Sequence, residues 1–433
     1  MTEALKDSKV SWLGEIPESW SIDRTKFHYL NLKQVAGVKS KDYERLALTL
    51  NGVIKRPKDD TDGLQPGDFN GYQILRSGDL VFKLIDLQNV STSRVGLAHD
   101  TGIVSPAYIR LEPRKNDSSR YGEYYFLSMW QREIFNQLGD AGVRSNLSST
   151  DLLELPYIKL PYEDQIKIAD FLDEKCAEID HLSEDIQKQI DILEEYKKSV
   201  ITRAVTKGLD PNTEMKDSGI QWVGMMPKNW KLPKILYCLE MPITDGPHTT
   251  PELFDDGVPF VSAEAVSTGD GKINFDNIRG FISEKFYKEC CKKYIPKIDD
   301  IYMIKSGATT GKIAIVDTDK KFTIWSPLAV FRVNKDIVTP KYMYYSLYSD
   351  YIQRQVETGW TYGTQQNIGM RSLEKMKLCI PSIDEQNKIV EFLDKIYSEA
   401  NDTIRAYRDQ LQKLETYKKS IIYEYVTGKK RVA

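Results

Sequence analysis

The most suggestive stretch for chemistry is residues 305–312, Lys-Ser-Gly-Ala-Thr-Thr-Gly-Lys. A phosphate-cradling loop needs four residues between its glycines and a Ser or Thr after the lysine, so that a hydroxyl reaches magnesium. Here Gly307 and Gly311 are one residue too close, and Ile313 follows Lys312. No Gly-x-Gly-x-x-Gly follows a strand-like run. The four histidines (His28, His99, His181, His248) are scattered, and the five cysteines (Cys176, Cys238, Cys290, Cys291, Cys379) form no Cys-x-x-Cys pair. This spells out neither a metal cluster nor a disulfide framework. No Asn/Asp-Pro-Pro-aromatic tetrad of the amino-methyltransferase type occurs, and no carboxylate pair looks more catalytic than solvated. The expectation is a non-enzyme with no catalytic, cofactor-binding or metal-binding residue of its own.

What remains are polar, glycine-bearing loops carrying cations, amides and aromatics. Amides and Arg/Lys make paired contacts with base edges, while hydroxyls and backbone N–H groups hold phosphates. In the first half of the chain such loops fall at 49–56, 83–94 and 142–146. They make Lys55, Arg56, Lys83, Asn89, Arg94, Arg144 and Asn146 candidate DNA contacts. In the second half they fall at 244–250, 305–312 and 359–367. The candidates there are His248, Thr249, Lys305, Thr309 and Lys312, then Trp360, Tyr362, Gln365, Gln366 and Asn367. Each loop alone could be an ordinary turn; the case rests on matched loops in a duplicated chain.

The duplication is explicit. Trp12, Gly14, Pro17 and Trp20 recur 210 residues later as Trp222, Gly224, Pro227 and Trp230. Farther on, Gln165, Phe171, Leu172 and Asp173 recur 221 residues later as Gln386, Phe392, Leu393 and Asp394. Between tag and helix, β-rich runs at 80–84, 107–111, 301–304, 312–316 and 328–333 read as strands. Residues 121–138 and 341–356 read as single aromatic-rich helices.

The elements that must position the loops are two uninterrupted stretches, 161–208 and 381–428. The first would make a helix of about 68 Å at 1.5 Å per residue. Apolar residues recur every seven positions at Leu172, Ile179, Ile186, Leu193 and Val200, and again at Leu393, Ala400, Tyr407, Leu414 and Ile421. That is a coiled-coil seam. Burying it requires the helices to pair antiparallel, with a module at each end and the first tag beside the end of the second helix. Additional apolar positions at Ile190, Ile201, Leu411 and Ile422 suit either partner helices or the protein's own modules.

The 433 residues carry a net charge of −3, unevenly placed: residues 161–198 hold −7, residues 381–419 hold −1, and the remainder is +5. Mildly basic modules permit phosphate contacts. The N-terminus has no apolar signal core, and no run approaches the ~18 apolar residues of a membrane span. A cytoplasmic location is expected.

Tag, divergent module and long helix, written twice, resemble the specificity subunit of type I restriction-modification systems. The resemblance rests on the Trp-x-Gly-x-x-Pro-x-x-Trp tags, on Asp245-Gly246-Pro247-His248 and on Gly307–Lys312. It also rests on Gln365-Gln366-Asn367-Ile368 and the helix openings at Gln165 and Gln386. It implies an α+β fold: two similar mixed α/β target-recognition domains, separated by a long antiparallel two-helix coiled coil in a pseudo-twofold duplication. The implied boundaries are 1–160 and 215–380 for the domains, 161–206 and 381–427 for the helices, 207–214 for a linker and 428–433 for a basic tail. Each domain would read one half of a bipartite double-stranded DNA site, the helices setting the spacing and docking two methyltransferase subunits. S-adenosylmethionine, and ATP with magnesium on restriction subunits, would belong to partners. A self-sufficient methyltransferase or endonuclease, and a coiled-coil protein-binding scaffold, are the alternatives.

Overall fold

In the computed structural model, described for residues 4–60, 68–88, 92–138, 146–362 and 366–432, five helices frame the architecture. They are α1 (Ser119–Gln131), α2 (Tyr162–Lys207), α3 (Pro340–Tyr348), α4 (Asp350–Thr358) and α5 (Ile383–Val426). The two long helices follow from stretches free of glycine and proline. Each opens with acidic residues, Glu163 and Asp164 or Asp384 and Glu385, where the helix dipole favours them. Each ends at a glycine in the left-handed region, Gly208 (φ +74) and Gly428 (φ +71).

The chain divides into two compact units, residues 1–185 with 409–433, and residues 186–408. In the first unit, β1 (Tyr29–Leu30), β2 (Leu80–Phe82), β3 (Val95–Leu97) and β4 (Ile109–Pro113) form a sheet in the order β1-β4-β2-β3. The pairing Ile109 opposite Phe82 and Leu111 opposite Leu80 is antiparallel and sets a wholly apolar β2 in the core. In the second unit, β5 (Thr244–Asp245), β6 (Ile301–Ile304), β7 (Ile313–Ile315) and β8 (Leu328–Phe331) take the equivalent order β5-β8-β6-β7.

The same polar anchor recurs beside each sheet. Asp79 accepts from the backbone of Arg76 (2.6 Å) and the guanidinium of Arg110 (2.5 Å); Asp300 accepts from Lys297 (2.8 Å) and Arg332 (2.7 Å). Burial pushes the Asp79 carboxyl up even against the pull of Arg110. Removing one partner of such a buried pair would leave an uncompensated charge in the core.

Each unit contains an antiparallel pair of long-helix segments. In the first, Phe171 stacks 4.3 Å from Tyr425, and Lys418 reaches Asp180 at 2.6 Å. In the second, Lys197 reaches Asn401 at 2.8 Å, and Arg408 lies 3.9 Å from Glu194. Lys197 and Lys418, like Asn401 and Asp180, are 221 residues apart, so one clasp is built twice with the helices exchanging roles.

The tags close the units. Leu5–Asp7 pairs with Glu15–Pro17 and Met215–Asp217 with Met225–Pro227, as matching two-stranded ribbons. Lys429 donates to the carbonyls of Leu13 and Glu15 (both 3.0 Å); Lys207 donates to those of Val223 (2.8 Å) and Met225. Pro17 and Trp20 pack so closely on Gly428 that a Cβ there would meet Pro17 at 2.5 Å. As expected, the first tag sits at the end of the second long helix.

Two helix expectations needed correction. Residues 341–356 are interrupted at Ser349, whose extended backbone (ψ 153°) ends α3. The Ser349 hydroxyl bonds the Ser346 carbonyl, and Thr202 accepts the Asp350 N–H, so the break leaves these groups satisfied. Residues 121–138 break after α1, where Glu133 has φ +58 and a short helix, Ile134–Leu138, follows.

Of the seam residues, Leu172, Ile179, Ile186, Leu393, Ala400 and Ile421 are buried, and Leu193, Val200, Tyr407 and Leu414 are half-buried. Ile201 and Ile422 lie inside the unit cores, so this part of the additional apolar stripe is covered by the protein's own modules. Leu182, Ile192, Tyr196 and Tyr417 stay exposed.

One asymmetry yields a test. Trp230 donates its indole N–H to Glu385 (3.1 Å), whereas the buried Trp20 N–H has no partner among the described residues and Asp164 stands at the equivalent helix position. Asp164→Glu supplies the missing methylene and should stabilise the first unit by roughly 0.5–1.5 kcal/mol, the net worth of one hydrogen bond. Thermal unfolding reads this; an unchanged midpoint would show that Asp164 is not the counterpart of Glu385.

Candidate nucleic-acid interface

In the second unit the loops singled out in sequence converge. β5 is an edge strand, with Thr244 opposite Val330 and Asp245 opposite Ala329. The next residue must be glycine, because a Cβ on Gly246 would meet the Ile324 carbonyl at 2.0 Å. This seats the Asp245 carboxylate in the protein, 1% exposed, with two lysines and a histidine around it. Lys293 donates to one oxygen; His248 (3.2 Å) and Lys305 (3.4 Å) stand at the other.

Lys305 also joins this cluster to the third loop. Its carbonyl accepts from Ile368 (2.9 Å), and Gly307 donates to the Gln366 carbonyl (3.0 Å). Those residues belong to a hairpin of β9 (Trp360–Tyr362) and β10 (Gln366–Ile368), with Trp360 opposite Ile368. The 305–312 loop is therefore a closed turn welded to a hairpin. Thr310 bonds the Gly307 carbonyl (2.7 Å) and Gln353 holds the Gly311 carbonyl (3.0 Å).

His248, Thr249, Lys312, Gln366 and Asn367 are exposed there, and Thr309 is half-buried. Lys312 reaches the Ser267 carbonyl only at 3.4 Å. Trp360 is half-buried, with an indole N–H that finds no partner among the described residues. Gln365 lies outside the described residues, and for Tyr362 only the strand is described.

The first unit spends more of its candidates internally. Lys55, on the hairpin strand Gly52–Lys55, is exposed and 3.2 Å from Asp100. The Arg56 guanidinium pairs with Asp60 at 2.5 Å. Lys83 bonds Thr92 (3.2 Å); burial and the nearby Arg94 guanidinium push its ammonium pKa down. Asn146 is exposed but accepts from the Asp86 N–H (2.9 Å). Arg94 is the correction. It is fully buried and donates to the carbonyls of Lys83 and Ile85 (both 3.4 Å) and Asp86 (2.5 Å), so it braces the loop from beneath rather than facing a ligand. Asn89 and Arg144 lie outside the described residues.

Sequence reasoning missed Lys293, which nothing local marks: it reaches Asp245 from 48 residues away. It also left Asp245 out of the candidate set, although the residue stands in the Asp-Gly-Pro-His run. The cysteines contribute packing: burial raises the thiols of Cys176 and Cys238 to about 11 and that of Cys379 to about 12. Among the described residues, no group of three or more His, Cys, Asp or Glu side chains could hold a metal ion. No described helix is long and apolar enough to cross a membrane.

Residues 247–413, which hold the 305–312 turn, the hairpin and the first part of α5, match the family model described as the type I restriction modification DNA specificity domain. A relative from Methanocaldococcus jannaschii named as the type I restriction enzyme MjaX specificity subunit is 26% identical, over 98% of this chain and 96% of that protein. The chain is thus similar, along nearly its whole length, to type I restriction-modification specificity subunits. A second protein of that archaeon, the type I restriction enzyme MjaVIII specificity subunit, is 24% identical over 76% of this chain and 75% of its own length. The fold agrees with a solved chain from work on complex assembly and conformational transition of the type I R-M system. Its TM-score is 0.66 at 15% identity, covering 95% of this chain and 99% of that one.

The geometry separates braces from presented groups. Arg94→Ala should lower stability by about 2–4 kcal/mol, because it strips a buried side chain from carbonyls left without a donor. Lys312→Ala should stay within about 0.5 kcal/mol of the parent, as an exposed substitution does. Thermal unfolding of both variants checks this, and equal midpoints would reject the distinction.

Proposed function

We propose that this chain is a specificity subunit that selects the DNA sequence for a type I restriction-modification complex, each module reading one half of a bipartite, asymmetric site. The observation that carries the reading is the second unit's face. Three loops distant in sequence are tied into one platform, and His248, Thr249, Lys312, Gln366 and Asn367 are exposed on them. Amides and cations on a rigid support are what direct base readout and phosphate contact require. A duplicated scaffold with unlike loops suits two unlike half-sites.

In this reading α2 and α5 set the spacing between the half-sites, and their exposed acidic and apolar positions, Tyr196 and Tyr417 among them, dock two methyltransferase subunits. Those partners hold S-adenosylmethionine and flip the adenine out of the stack, as chemistry on a base demands. Restriction subunits contribute ATP and magnesium. The chain itself is non-catalytic and works in the cytoplasm, where the DNA is.

Three outcomes test this. Gln366→Ala should cost about 1–3 kcal/mol at one half-site, the worth of a good base contact, and nothing at the other. A panel of single-base variants of the site, scored by methylation, measures it; unchanged discrimination at every position would refute the assignment. Binding by the complex should weaken steeply as salt rises, since neutralised phosphates release counterions. Exchanging residues 21–160 for another module should change one half-site alone, and loss of both would contradict modular reading.

A further inference from the structure

We propose that Asp245 is the positioning residue of the second module's reading face, acting through His248, Lys305 and Lys293 without touching DNA itself. This rests on the reading of that face as a DNA interface. A carboxylate 1% exposed is costly to bury unless it is paired; Lys293 donates to one Asp245 oxygen, while the other has no hydrogen-bond donor among the described residues and is faced by His248 and Lys305 at ion-pair distance. Its partners come from three separate segments: the loop that follows it, the end of β6, and the residues after the helix Glu284–Cys291. Lysine has three ammonium hydrogens. One from Lys293 points inward to Asp245, while that side chain is 47% exposed, and His248 is 72% exposed. One buried carboxylate thus anchors the inner side of a cluster of two lysines and a histidine whose outer side remains available to an anion.

The pairing also fixes register between loops. Lys305 is bound through its backbone to Ile368, so holding its ammonium aligns the 305–312 turn and the Gln366–Ile368 strand with the edge carrying Asp245 and His248. Asp245 sits where the Gly246 backbone has no room to shift, against Ile324 and Trp325. The first unit has no Asp-Gly-Pro-His run, so this device serves one half-site only.

Charge counting and positioning differ in what they forecast for discrimination by Asp245→Asn. Removing a negative charge beside the interface should, by electrostatics alone, tighten binding to any sequence. Positioning predicts that binding to a random-sequence duplex holds or rises while discrimination at the second module's half-site falls at least tenfold. Discrimination at the other half-site should persist. The assembled complex with its methyltransferase subunits is titrated against the duplex it methylates, single-base variants of it and a random duplex of equal length. Unchanged discrimination at both half-sites, or equal loss at both, overturns the proposal. If Asp245→Asn does not fold, His248→Gln combined with Lys305→Gln removes the positioned groups instead, and the same loss confined to one half-site is required. If the unaltered complex prefers no sequence, the functional reading itself fails, which is a distinguishable result.

Discussion

The structure depends on what happens where each long helix stops. The last carbonyls of a helix have no partner within it, and a helix end taken into a core must find donors elsewhere. Here the modules supply them. The Tyr121 hydroxyl donates to the Val426 carbonyl (2.8 Å), and the Tyr342 hydroxyl lies 3.4 Å from that of Val205, an equivalent pair at the same 221-residue interval. Gly428 and Gly208 turn the chain out in the left-handed region, and Trp20 and Trp230 lie against those glycines. Helix end, tag and module therefore form one packed body, and none of the three has a complete core without the others.

The openings of the helices are held as firmly. Gln165 accepts from the Ser118 N–H and donates to the Leu160 carbonyl; Gln386 does the same with Thr339 and Pro381. A buried amide that satisfies a donor on the module and an acceptor at the helix start admits one orientation of helix on sheet. Each unit thus uses the start of one long helix and the end of the other. In the second unit these pieces are contiguous in the chain; in the first they come from the two termini. The duplication is circularly permuted, and the loops can vary because the scaffold is specified by groups that do not face outward.

Much of this was legible in the sequence, because repeats and seven-residue periodicity are local signals. The tags, the helix boundaries and the meeting of the first tag with the end of α5 could all be derived. So could the three loops of the second module, whose unusual residues mark them. What could not be read was how charge is spent. Arg94 and Lys312 look alike in sequence, yet one is buried under carbonyls and the other is exposed, a difference created by chain folding above Arg94. Lys293 acquires its role from a carboxylate far along the chain. The break at Ser349 depends on Thr202, which no window of local sequence contains.

On this reading the chain chooses a split, asymmetric DNA sequence for a methyltransferase. Long-read mapping of adenine methylation, in cells carrying the methyltransferase with and without this chain, is the decisive measurement. One bipartite motif with unlike halves and a fixed spacer should be methylated only when the chain is present. Methylation independent of the chain, or confined to a continuous or palindromic motif, would contradict it.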